Sequence, residues 1–78
     1  MGLSEWWVEQ QLRSTNTRLR RDRKRLSNAR KKAEAAQKAG DKTELARWEE
    51  ERDTLTQAIH DHLAKEAELK GRLEPPAA

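Results

Sequence analysis

Apolar and small residues recur along the first half of the chain at the spacing of a coiled-coil seam. Leu12, Leu19, Leu26 and Ala33 stand seven apart. Thr15, Asp22, Ala29 and Ala36 each follow three residues later, and Val8 precedes the series by four. The second half repeats the pattern through Leu45, Trp48, Arg52, Leu55, Ile59, His62, Glu66, Leu69 and Leu73, with steps alternating three and four. This is the a/d stripe of an amphipathic helix. Residues 3–39 contain no glycine or proline, and strong helix formers dominate both halves. Two α-helices are predicted, over about 4–39 and 42–73.

The stripe changes phase between them. Ala36 and Leu45 are nine residues apart, which is about 900° of rotation at 100° per residue, half a turn out of register. A continuous helix would place its two stripes on opposite sides. A reversal at Gly40-Asp41 lets them face each other. Gly40 suits the left-handed position that ends a helix. Asp41 suits the N-cap of the next, with Glu44 three residues on as in a capping box. Ser4 is the expected cap of the first helix and Pro75-Pro76 the stop of the second. The predicted fold is an all-α antiparallel two-helix hairpin, with arms of roughly 45–55 Å and a disordered tail over 74–78.

In such a hairpin, facing residues have numbers that sum to about 81: Ala36 with Leu45, Ala33 with Trp48, Leu26 with Leu55. Arg30 then falls beside Glu49 and Lys32 beside Glu51, as flanking ion pairs that favour this register. Asp22 and His62 come within about a turn of each other across the seam, a polar contact of the kind that fixes register.

Composition narrows the class. The 78 residues form one small domain at most, without cysteine for disulfides or thiolate metal sites. Charged residues make up 40% of the chain and aromatics 4%. The periodicity is what separates this chain from a disordered one of similar composition. No apolar run is long enough for a membrane span, no secretory leader is expected, and Trp6 breaks the myristoylation pattern that Met1-Gly2 would begin. The expected setting is the cytoplasm, with no membrane partner. So thin a core, with Trp6, Trp7 and Leu63 left outside the strict seam, predicts a homodimer, a four-helix bundle or docking onto a larger protein. Trp6 and Trp7 have two readings: a cap folded over Leu69 and Leu73 at the open end, or an anchor for another chain.

Charge is unevenly divided. Residues 1–39 carry eleven Lys and Arg against four Asp and Glu, a balance of +7; residues 40–78 carry six against ten, a balance of −4. The densest stretch is "RLRRDRKRL", residues 18–26. Leu19, Asp22 and Leu26 belong to the seam. Arg18, Arg20, Arg21, Arg23, Lys24 and Arg25 do not, and with Lys31 they form a candidate polyanion surface. Phosphate contacts require only positive charge and reach, so a basic helix suffices. A solvated coiled-coil exterior is the competing reading. A basic zipper does not fit, because the basic residues lie inside the heptad stretch.

Catalysis and metal binding find no support in the residue spacing. His60 and His62 lie about 200° apart around a helix and cannot easily share a ligand. His62 and Glu66 make only half a metal site. No nucleophile, base and oxyanion donors converge, and no cofactor or small-molecule substrate is implied. The functional expectation is a non-enzymatic helical-hairpin module that binds another protein or itself. The alternative is a nucleic-acid-binding accessory protein using the basic surface without sequence readout. Polar residues at seam positions speak against an idealised design and for a natural accessory protein, of phage, mobile-element or bacterial type.

Overall fold

The structure, a computed structural model, describes residues 3–73. It contains two α-helices, α1 (Leu3–Ala39) and α2 (Lys42–Leu73), packed against each other along their length as a hairpin. The molecule is a flat rod of 58 × 22 × 13 Å. The expected all-α hairpin is therefore the fold. The tail over 74–78, with Pro75-Pro76, lies outside the described residues.

The reversal takes two residues. Gly40 adopts φ of 71°, a conformation costing roughly 1–2 kcal/mol for residues bearing a Cβ. Its N–H donates to the Gln37 carbonyl at 3.2 Å, and the Asp41 N–H donates to the Ala36 carbonyl at 3.0 Å. This pair is a Schellman closure, which satisfies carbonyls otherwise orphaned at the end of α1. Asp41 then starts α2. Its Oδ1 accepts from the Glu44 N–H at 3.1 Å, and its carbonyl accepts from the Leu45 N–H at 3.0 Å. Only half of the expected capping box forms. The Asp41 N–H is already held by Ala36, and the Glu44 carboxylate accepts from Trp48 Nε1 at 3.0 Å and lies 3.7 Å from Arg47. At the other end, Ser4 lies inside α1 and does not cap it.

All the seam positions from Val8 to Leu73 are buried or half-buried, and the fully buried residues among those described all belong to the seam. Small side chains (Ala29, Ala33, Ala36) line α1 toward the turn, at the level of the larger Leu45 and Trp48. Leucine, isoleucine and valine fill the middle and open end, with Leu69 completely enclosed. Burial of such side chains supplies the drive for pairing, at roughly 25 cal/mol per Å² of apolar surface.

Polar residues on the seam are accommodated locally. The Thr15 hydroxyl donates to the Gln11 carbonyl at 2.8 Å. Arg52 extends its guanidinium outward to Asp53, 3.1 Å away. Asp22, whose side chain is 10% exposed, meets His62 across the interface, with Oδ2 3.2 Å from Nε2. The remaining ion pairs join residues of the same helix, such as Lys38 with Glu34 and Arg72 with Glu68. The expected bridges from Arg30 to Glu49 and from Lys32 to Glu51 do not form among the described residues. Exposed pairs contribute about 0–1 kcal/mol, too little to impose a rotamer on long flanking side chains.

Two glycines separate backbone effects from packing. A Cβ at Gly40 or Gly71 would meet nothing within 4 Å, but only Gly40 has positive φ. Gly40→Ala is expected to destabilise by about 1 kcal/mol. Gly71→Ala, inside α2, is expected to stabilise by up to about 0.5–1 kcal/mol. Urea midpoints that move in opposite directions at constant m-value would establish both signs; a neutral Gly40→Ala would show the turn to be adaptable.

The Asp22–His62 contact makes a second prediction. Either Asp22→Ala or His62→Ala should cost about 1–3 kcal/mol, because the remaining polar group loses its partner inside the seam. Replacing both by leucine should recover this and add about 1 kcal/mol of stability or more. Chemical denaturation of the two single variants and the double-leucine variant measures it. A double variant no more stable than the single ones would mean that the contact holds the helices together in a way apolar packing cannot replace.

Candidate functional site

The basic residues named from the sequence are brought onto one surface. Arg18, Arg20, Arg21, Arg23, Lys24, Arg25 and Lys31 are all exposed on α1. Their arrangement follows from the seam. Once Leu19, Asp22 and Leu26 face α2, Arg20, Arg21 and Lys24 point away from it, and Arg18, Arg23 and Arg25 flank it. Thr17, Arg20, Arg21, Arg23 and Lys24 border a shallow concavity of about 510 Å³ on this outer side.

None of these seven side chains takes part in an ion pair or hydrogen bond among the described residues. Arg13, Arg30 and Lys32 are likewise exposed and without an ion-pair partner there. These three extend the surface beyond the residues singled out by local charge density. The signal was available in the sequence. Between Glu9 and Glu34 the only acidic residue is Asp22, and Asp22 is turned into the seam toward His62. Residues 10–33 therefore present cations and neutral polar groups to solvent without one exposed carboxylate. At 1.5 Å per residue this zone runs for about 36 Å.

α2 behaves differently. Arg47, Arg52, Lys65, Lys70 and Arg72 each lie within 4 Å of a carboxylate on their own helix. Arg47 also lies over the Trp48 ring, 5.5 Å from its centroid. The cations of α2 other than Lys42 are thus answered where they stand, and on α1 only Lys38, paired with Glu34, is. Like charges three and four apart on one helix repel. Arg20 with Lys24, and Arg21 with Arg25, are such pairs. The conformation of α1 is held by the seam against this repulsion.

The second candidate surface is the open end. Trp6 is 59% exposed and Trp7 51%. Each keeps more than half of its surface in solvent, so neither is enclosed by the hairpin. Trp7 borders a concavity of about 360 Å³ together with Ser4, Glu5, Val8, Arg72 and Leu73. Leu63, at 38% exposure, lies on α2 away from this end, so it is not part of the tryptophan surface.

His60 is exposed and His62 is engaged with Asp22. Among the described residues no three His, Asp or Glu side chains gather as a metal site would require. Nor is either helix long and apolar enough to cross a membrane. No family model, curated protein or solved structure matches this chain.

Proposed function

We propose that this chain is a non-enzymatic interaction module, a rigid helical strut that binds a polyanion through the outer surface of α1. One observation carries the reading: the cations of residues 10–33 are exposed, without ion partners, and without an exposed carboxylate among them. A solvated exterior that serves only solubility is ordinarily built from both signs of charge. α2 has that mixed character. The single-sign zone on α1 carries an electrostatic cost that a polyanion relieves, and it attracts such a partner from a distance. Binding of this kind is general and not sequence-specific.

Salt dependence measures it. Each duplex phosphate neutralised contributes a log–log slope of about −0.9, so a six-charge grip approaches about −5. Replacing Arg20, Arg21 and Lys24 with glutamine is expected to flatten the slope by up to about 2.7. Stability should hardly change, because these three point away from α2. Fluorescence anisotropy with random duplex DNA over a salt series, beside a denaturation curve, gives both numbers. Unchanged binding by the triple variant, or no binding to any polyanion at low salt, returns the surface to a solvated exterior.

A protein contact at the open end is a second reading, favoured by the exposure of both tryptophans. Indole surface left in water is costly, and tryptophan is enriched in binding hot spots. If the occupant is a second copy, the melting midpoint should rise with protein concentration. Trp6→Ala with Trp7→Ala should abolish that rise. A midpoint flat across a wide dilution series, with monomer mass throughout, would exclude the homodimer and leave a different protein as the partner.

A further inference from the structure

The arrangement of the cations around α1 narrows the class of polyanion, provided the polyanion reading above holds. Arg23, Lys24 and Arg25 occupy successive positions at about 100° steps and so sweep about 200° of the helix. That is the whole side of α1 not covered by α2. Arg23 and Arg30 occupy one flank, and Arg18, Arg25 and Lys32 the other, with Lys24 and Lys31 along the crest. A flat anionic surface meets only the crest or one flank of such a half-cylinder. Engaging both flanks at once requires anionic walls on two sides.

We infer that the occupant is B-form duplex DNA, with α1 lying lengthwise in the major groove and its two flanks held against the phosphates of opposite strands. The major groove is about 12 Å wide, and an α-helix with side chains is about 10–12 Å across. The single interface of the hairpin leaves the far side of α1 free to enter, with α2 outside the groove mouth. The one carboxylate within the basic run is directed at His62 and away from the approaching phosphates. Acidic residues set a limit at the turn end. Glu49, Glu50 and Glu51 sit on α2 at the level of Arg30 and Lys32, so the phosphate contacts centre on Arg18–Arg25.

Other nucleic acids fit less well. The major groove of A-form RNA is deep and narrow and does not admit side chains for reading, still less a helix. Single strands are usually held by stacking on aromatic side chains, and residues 10–33 contain none.

The test uses the full chain with four probes: random-sequence duplex DNA, the matching RNA duplex, single-stranded DNA and polyglutamate. Duplex DNA should bind at least about tenfold more tightly than duplex RNA, reflecting the closed A-form groove. Phosphate-ethylation interference should mark both strands on either side of one major groove. The variant Arg23→Gln with Arg30→Gln, both exposed, should lose interference on one strand and keep it on the other. Equal affinity for the two duplexes, or interference confined to one strand or spanning the minor groove, would overturn the groove seat. Binding to single-stranded DNA or polyglutamate in preference to duplex DNA would overturn it too, with the polyanion reading intact. Failure to bind any of the four at low salt would overturn both.

Discussion

Two helices share one interface, and that constraint governs the rest of the molecule. A helix in a larger domain can bury several faces; here each arm has one partner and one stripe to bury. Every residue off the stripe is therefore committed to the surface, whatever its chemistry. The stripe must be long to be sufficient, which is why it runs from Val8 to Leu73. Even polar positions on it are retained: Thr15 bonds its own backbone, Arg52 reaches outward, and Asp22 meets His62. With no second layer in the hairpin, no described side chain off the stripe is fully buried, and those groups are presented along the outside of a rod.

The fold was legible in the sequence because two simple signals agreed. The alternating steps of three and four defined each stripe, and the phase change at Gly40-Asp41 set how they meet. Each rests on geometry that one residue's slip would destroy. Flanking charges had no such constraint. Arg30 and Glu49 occur at the right level, yet the structure leaves them apart. Exposed ion pairs are too weak for spacing alone to decide which of several neighbours a long side chain selects. Glu44 shows the same effect at the turn, where Trp48 and Arg47, three or four residues on, capture the carboxylate expected to close the capping box. Spacing of i, i+4 was the available signal for that contact.

The basic surface was visible as composition but not in its full extent. Residues 18–25 stand out by density. Arg13, Arg30 and Lys32 join them only when one asks where carboxylates are missing and not where cations are crowded. The fate of Asp22 also required three dimensions. In the sequence it interrupts the basic run and lowers its net charge. In the structure it is withdrawn into the seam, and the run is electrostatically continuous. The same residue thus serves the pairing of the helices and keeps a negative group off the outer surface.

The tightness of the turn has a consequence for the order of assembly. Because Gly40 and Asp41 alone connect the arms, Ala36 and Leu45 can meet by closing a very short loop, whereas Val8 and Leu73 are joined through nearly the whole chain. Loop-closure entropy grows with that separation. The favourable route is a zipper that starts at the alanine-rich turn and advances outward, each new seam layer being brought near by the last. Run backwards, the same sequence makes opening begin at the termini. The tryptophans therefore sit where the hairpin closes last and opens first, and the basic middle sits where the rod has already become rigid.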